Sequence, residues 1–293
     1  MKVLITGAGG QLGNELSAIL KNGKSEIGEI PAYFNGASVI GVDIDSLDIT
    51  DFDAVNRLVA SEKPDIIINS AAMTNVDGCE TMQDVAYKVN AAGVRNLAVA
   101  AENTGAKFIH VSTDYVFKGD GTVPYCEWDK TNPQSVYGKS KALGETYALG
   151  FCKKSFVVRT SWLYGYIGKN FVKTVRRVMR ERGAMKVVND QHGNPTNAND
   201  LAHHILKLAA TNEYGIYHCT GKGECTWYDF AKEIVALSGI SGEVSPCTSE
   251  EYPSPVKRPK FSSLSHLALD CAVGDEMREW KDALKEYIMK VED

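Results

Sequence analysis

Ser112-Thr113-Asp114-Tyr115-Val116-Phe117, followed by Tyr137-Gly138-Lys139-Ser140-Lys141, supplies a hydroxyl, a phenol and an ammonium that one carbonyl oxygen can meet together. Reducing a ketone with a hydride donor needs that set: a donor to polarise the oxygen, an acid to protonate it, and a cation to strengthen the acid. Spacing of four residues puts Tyr137 and Lys141 on one face of a helix. Spacing alone decides little, because Tyr228-Asp229-Phe230-Ala231-Lys232 repeats it. Context separates the two pairs. The first follows an apolar strand, Phe108-Ile109-His110-Val111, that ends in Ser112-Thr113. The second opens an amphipathic helix with no such strand-end hydroxyl ahead of it, and reads as a solvated helix face. Thr113, Tyr137 and Lys141 are therefore the candidate catalytic residues. Thr113 would hydrogen-bond the ketone and Tyr137 would protonate the alkoxide. A free phenol, with a pKa of about 10, is a poor acid at neutral pH, and Lys141 would lower it by its charge.

The elements that must position these groups alternate. Short apolar strands read at 3–6, 39–42, 65–69, 107–112 and 156–160, and amphipathic helices at 12–21, 52–60, 83–104 and 136–149. Strands buried on both faces, each followed by a crossover helix, specify an α/β fold with a doubly wound parallel sheet of the Rossmann type. Ligands bind such sheets at the carboxyl ends of the strands. After position 160 the alternation loosens. A helix at 170–182, a strand at 185–188, helices at 200–210, 227–238 and 276–291, and Pro-rich connections form a smaller lobe. The expected division is 1–160 for dinucleotide binding and 161–293 mainly for substrate, with room for the chain to cross between the lobes. His203 and His204 carry no metal-ligand spacing and read as helix-surface residues.

Thr6-Gly7-Ala8-Gly9-Gly10-Gln11-Leu12-Gly13 joins the first strand to the first helix. G-x-G-x-x-G fails here, since its last position is Leu12. G-x-x-G-x-x-G fits through Gly7, Gly10 and Gly13. Glycines permit the tight turn, and the free N–H groups of the helix start face a pyrophosphate. The implied cofactor is NADH or NADPH, with Lys141 also holding its nicotinamide ribose. Asp43, after Ile40-Gly41-Val42, can accept both hydroxyls of the adenosine ribose and would repel a 2′-phosphate, which favours NADH. Cations from the polar 22–38 connection or elsewhere leave NADPH open. Asp48 and Ile49 are placed for the adenine, while Thr50 or Asp51 caps the next helix.

Ala71 and Ala72, in Asn69-Ser70-Ala71-Ala72-Met73-Thr74-Asn75-Val76-Asp77, let the backbone pass close to a flat ribose–nicotinamide; Thr74 and Asp77 then face a substrate's hydroxyls. Trp162 either walls the substrate pocket or packs between lobes. Lys257-Arg258-Pro259-Lys260 follows the Pro-rich Tyr252-Pro253-Ser254-Pro255. It reads as a diphosphate clamp built on the Arg258 fork, or as a solvated basic loop.

The 293 residues are 44% hydrophobic and 24% charged, which is ordinary for a globular protein with an ample core. A net charge of −5 argues against nucleic-acid binding. Seven cysteines, scattered without any C-x-x-C pair, read as reduced thiols rather than disulfides or a zinc site. The chain starts directly on a strand and has no apolar run of membrane-spanning length, so the expectation is a soluble cytoplasmic protein, without membrane partners.

Together these segments resemble the extended short-chain dehydrogenase/reductase family, on the branch that reduces dTDP-linked 4-keto sugars. The resemblance covers 7–13, 71–77, 112–117, 137–141, 159–164, 168–171, 189–196, 226–229 and Arg258-Pro259. The late segments belong to this branch rather than to the superfamily at large. It implies reduction of dTDP-4-dehydro-6-deoxy-L-mannose to dTDP-L-rhamnose, with hydride passing from the nicotinamide C4 to the sugar C4. Implied cofactor contacts are Gly7, Gly10, Gln11, Leu12, Asp43, Asp48, Ile49, Ala71, Ala72, Met73, Tyr137 and Lys141. Implied substrate contacts are Thr74, Val76, Asp77, Thr113, Asp114, Trp162, Asn170, Gln191 and Arg258. Two departures stand out. The family commonly has His where this chain has Met73. Some relatives hold magnesium at a dimer contact; Glu15 fits, but Glu181-Arg182-Gly183-Ala184 offers no obvious partner, and no metal is expected. A homodimer is the commonest soluble assembly. Alternatives are a nucleotide-sugar epimerase, a dehydratase or a non-catalytic subunit like the regulatory subunit of methionine adenosyltransferase. Dehydratases place Glu where this chain has Tyr115.

Overall fold

Leu4 and Ile67 side chains point to one side of the central sheet, and Val3, Ile5, Ile66 and Ile68 to the other, and all six are fully buried. Alternation along a strand with apolar residues on both faces requires a cover on each side. One cover is the pair of helices Gln11–Asn22 and Ala198–Ala209, which bring Leu12, Leu16, Leu201 and Ile205 into the first core. The other is formed by helices Phe52–Glu62, Val94–Thr104 and Val136–Phe151, with Val55, Val59, Leu97 and Ala148 in the second. The computed structural model describes residues 1–252 and 254–291.

The sheet has six strands in the order Gly215–His218, Ser155–Thr160, Lys107–Thr113, Ile66–Asn69, Lys2–Thr6, Ser38–Val42. Every pairing in it is parallel. The first connection runs outward to Ser38–Val42, and the chain then crosses back to Ile66–Asn69 on the other side of the first strand. That reversal opens a crevice at the carboxyl ends of Lys2–Thr6 and Ile66–Asn69. This is the doubly wound α/β sheet that the alternation predicts.

The remaining segments build a smaller lobe around Val175, Met179, Phe230, Ile234, Leu284 and Tyr287. Its frame is helices Phe171–Arg182, Trp227–Leu237 and Trp280–Lys290 with a parallel pair of strands, Ala184–Val188 and Glu243–Cys247.

Several features differ from the sequence reading, among them the strand Glu243–Cys247 and the helix Leu267–Val273, where connections were expected, and a last helix that starts at Trp280. The strand Gly215–His218 was not foreseen, and with helix Ala198–Ala209 it returns the chain to the large sheet. The helix expected over 83–104 contains a π-helical stretch, Lys88–Gly93, between Gln83–Tyr87 and Val94–Thr104. His203 and His204 are buried, not on the helix surface. Their helix is covered on both sides, and their ring nitrogens are engaged: His203 Nδ1 lies 2.8 Å from Ser25 Oγ, and His204 Nε2 accepts from the Glu276 N–H at 3.1 Å. The Pro-rich run at 252–255 includes position 253, which lies outside the described residues.

Candidate active site

At the crevice, Gly7 adopts φ +67°, and a Cβ built on it would stand 2.8 Å from the Ala71 nitrogen. A Cβ on Gly13 would lie 2.2 Å from the Gly7 carbonyl oxygen. Neither position tolerates a side chain, so the two strand ends close on one another. Gly10 caps helix Gln11–Asn22 with no side-chain bond, and no acid sits in its first turn. The helix start is left with free N–H groups and an uncompensated positive end, as an anion site requires. Asp43 Oδ2 accepts from the Gly9 N–H at 2.9 Å, which fixes the carboxylate beside the turn. Asp51 caps helix Phe52–Glu62. A cleft of about 490 Å³ is lined by Gly7, Gly10, Gln11, Leu12, Asp43, Asp48, Ile49, Ala71 and Ala72. Thr74, read as a substrate contact, lines it too, with Leu163 and Gly168 from beyond position 160, which the sequence reading did not assign to the cofactor. Shape and donor set fit a nicotinamide dinucleotide.

Met73 is not among the residues lining this cleft and packs instead beside Cys79, Ala86 and Val136. Its backbone N–H donates to Asn90 Oδ1 at 2.8 Å, and its carbonyl accepts from Asn90 Nδ2 at 3.1 Å. Asn90 also reaches Ser140 Oγ at 3.1 Å, so the π-helical stretch ties the 71–75 segment to the Tyr137 helix. Sequence reasoning passed over Asn90. The available signal was a buried amide inside an apolar helical pattern.

Ser135 caps helix Val136–Phe151, accepting from the Gly138 N–H at 3.1 Å. A Cβ on Gly138 would meet the Tyr115 carbonyl oxygen at 2.2 Å. That contact presses Tyr137 against the end of strand Lys107–Thr113, close enough for the Thr113 side chain to influence its phenol. Tyr115 meets Tyr137 edge-on, with ring centroids 5.5 Å apart. Burial pushes the Tyr137 phenol up; Thr113 opposes this, while Asp114, Tyr115 and Cys79 raise it further. Lys141 is not among these leading influences. Its Nζ donates to the Val111 carbonyl oxygen at 2.6 Å and lies 3.4 Å from His110 Nε2. Burial pushes Lys141 down to about 8, against the pull of Glu145. In the free protein, then, the acidification expected from Lys141 is not what dominates the phenol.

A buried frame holds this end of the sheet. Thr6 Oγ1 donates to Asn69 Oδ1 at 2.7 Å, and Asn69 Nδ2 lies 3.1 Å from His110 Nδ1. Arg159 forks onto Glu145 through Nε at 2.9 Å and Nη2 at 2.7 Å, and Ser112 Oγ donates to the same carboxylate at 2.5 Å. A two-pronged Arg–carboxylate pair is among the more rigid contacts available to a protein.

On the substrate side, Arg258 Nη2 lies 3.2 and 3.3 Å from the two Asp77 oxygens, and Nη1 reaches the Tyr115 hydroxyl at 3.5 Å. The basic loop thus closes over the catalytic end of the sheet, beside Val76 and helix Val76–Thr81. The Trp162 ring stacks on Trp227 at 3.6 Å against the small lobe's core, and its backbone has φ +46°. Asn170 caps helix Phe171–Arg182 and donates to Gln11 Oε1 at 3.2 Å and the Gly165 carbonyl at 2.8 Å, joining the lobes. Gln191 is buried and donates to Ser249 Oγ at 2.9 Å in the segment leading to Arg258. Tyr228 and Lys232 lie in the small lobe, with Lys232 Nζ 5.3 Å from the Tyr228 ring centroid.

Residues 1–292 match the family model described as RmlD substrate binding domain. The chain belongs to that family. It is 42% identical over 289 residues to the spore coat polysaccharide biosynthesis protein SpsK of Bacillus subtilis, covering 99% of this chain and 97% of that one. Among solved structures, a dTDP-4-dehydrorhamnose reductase from Clostridium acetobutylicum superposes with a TM-score of 0.93 at 48% identity, covering 99% of each chain. The dTDP-4-dehydrorhamnose reductase of Bacillus anthracis, in complex with NADP, gives a TM-score of 0.93 at 40% identity and the same coverage.

Proposed function

We propose that this chain reduces the 4-keto group of dTDP-4-dehydro-6-deoxy-L-mannose with NAD(P)H, giving dTDP-L-rhamnose. The observation that carries the reading is the packing of helix Val136–Phe151 on the end of strand Lys107–Thr113, with Gly138 against the Tyr115 backbone and Lys141 bonded to the Val111 carbonyl, which gathers Thr113, Tyr137 and Lys141 at one strand end. The bound dinucleotide supplies the hydride. Thr113 polarises the ketone, and Tyr137 gives its proton to the oxygen of the carbon being reduced. Lys141 holds the nicotinamide ribose and, with that partner in place of the Val111 carbonyl, favours recovery of the phenol's proton. Asp77 and Arg258 bind the sugar nucleotide; Arg258 exchanges its carboxylate partner for the diphosphate.

Asp43 supports a preference for NADH, whereas the Bacillus anthracis relative was crystallised with NADP. Seven free cysteines support a reducing compartment, the cytoplasm. A homodimer is the expected assembly. The test of the substrate is a panel of dTDP-, UDP- and GDP-linked 4-keto sugars assayed by NADH and NADPH oxidation. The dTDP-linked sugar should give the highest kcat/KM, and a UDP- or GDP-sugar that outpaces it overturns the assignment.

A further inference from the structure

Thr113 has one hydroxyl proton and two lone pairs. In this structure the proton goes to Asp114 Oδ1 at 2.9 Å, and the oxygen accepts from the Tyr115 N–H at 3.3 Å. A hydroxyl committed in this way has no proton left for a ketone. We infer that Asp114 controls the direction of this bond: ionised, it holds the Thr113 proton; protonated, it donates to Thr113 and frees that proton to polarise the substrate.

The surroundings of Asp114 favour such a switch. It is 2% exposed, and its Oδ2 is buried without a hydrogen-bond partner among the described residues. A carboxylate with an unpaired buried oxygen is costly to keep ionised. The groups facing it are hydroxyls and backbone N–H groups: Thr113, Ser262 from the small lobe, and the backbone of Asp114 and Tyr115. The Tyr115 and Tyr137 phenols are close enough to feel its charge. The nearby cations are directed elsewhere, Lys141 to the Val111 carbonyl and Arg258 to Asp77 and Tyr115. Burial accordingly pushes Asp114 up to about 6. A sugar diphosphate adds negative charge and excludes water, and both favour the protonated form further.

With Asp114 protonated, each donor has one task. Asp114 donates to Thr113; Thr113 and Tyr137 both donate to the ketone oxygen. Asp114 is thus a positioning residue acting through Thr113. The inference rests on the reading of Thr113 as the ketone's donor. The sign follows from the raised carboxyl: competence is present below its pKa and lost above it. Deprotonation of Tyr137 itself lies much higher, because burial raises that phenol.

The experiment is the pH profile of kcat/KM for wild type, Asp114→Asn, Thr113→Val and the double variant, each checked for an unchanged melting transition. Wild type should lose activity about tenfold per pH unit above an apparent pKa at or above about 6. Asp114→Asn should lose that limb, since a carboxamide does not titrate; its plateau level reports which amide group faces Thr113. In the Thr113→Val background the Asp114→Asn change should alter neither rate nor profile. An Asp114→Asn enzyme that keeps the wild-type limb, or a wild type without one, overturns the inference. A fully active Thr113→Val enzyme instead removes the donor role of Thr113 on which it rests.

Discussion

The chain carries Tyr-x-x-x-Lys twice, at Tyr137 and at Tyr228, and the two copies sit in opposite settings. At Tyr228 the hydroxyl just ahead, Thr226, is taken up by a capping box with Asp229, and Lys232 is exposed over the tyrosine's own ring. At Tyr137 the cap is a separate residue, Ser135, and the hydroxyl comes from another element, the end of strand Lys107–Thr113. Lys141 is 2% exposed and bound to that strand's backbone. The spacing gives a shared helix face in both copies. Chemistry needs a third group brought from a distant part of the chain, and only the sheet's crevice brings it.

The largest contrast is expected from removing the phenols. Tyr137→Phe should lower kcat by about a thousandfold while leaving NADH affinity nearly intact, and Tyr228→Phe should stay within about twofold of wild type. Equal losses in steady-state assays would dissolve the distinction.

Lysine replacement gives the next effect, in two readouts. Lys141→Met should cost about a hundredfold in kcat yet raise the melting temperature at neutral pH, whereas Lys232→Met should change neither. The folded pKa of Lys141 lies near 8, below its ordinary 10.5. Its charged form is therefore a burden on the fold at neutral pH, and stability rises as pH climbs from about 8 to about 10.5, where the unfolded chain binds more protons. Melting curves of wild type and Lys141→Met should converge over that window. A Lys141→Met protein that melts below wild type at neutral pH contradicts the buried-ammonium account.

Smaller effects come from residues that give the first pair its surroundings. Arg258→Ala should raise KM for the sugar nucleotide by roughly ten- to hundredfold with little change in NADH affinity, since a charge-assisted contact is worth about 1.5–3 kcal/mol. Unaltered sugar-nucleotide kinetics would return Arg258 to the role of a solvated loop. Asp43→Ala should narrow the preference for NADH over NADPH by about tenfold in kcat/KM. A preference for NADPH in the wild type would sink that reading.

The sequence was most informative where one local rule decides the outcome. The first five strands are apolar runs bounded by turns, and Gly7 and Gly13 leave no room for side chains. Legibility failed where tertiary context decides. Gly215–His218 is four residues opening on a glycine at φ +150°, too short and too weakly patterned to stand out. His203 and His204 look like surface polar residues until two helices and the Glu276 backbone cover them. The bond from the Asn170 amide to Gln11, across the lobes, joins positions 159 residues apart, which no local pattern shows. The direction of the Asp114–Thr113 bond is a matter of burial and one missing partner, which no spacing encodes.

The central claim is a net reduction driven through Tyr137, and reductant stoichiometry tests it most directly. Purified enzyme, NADH or NADPH and the dTDP-linked 4-keto sugar should be followed together, with dinucleotide oxidation and sugar product quantified in the same reaction. Wild type should consume one dinucleotide per sugar reduced, and Tyr137→Phe should show almost no turnover under conditions where Tyr228→Phe keeps pace with wild type. Conversion of the sugar without net loss of NADH or NADPH, or full stoichiometric turnover by Tyr137→Phe, would contradict the account.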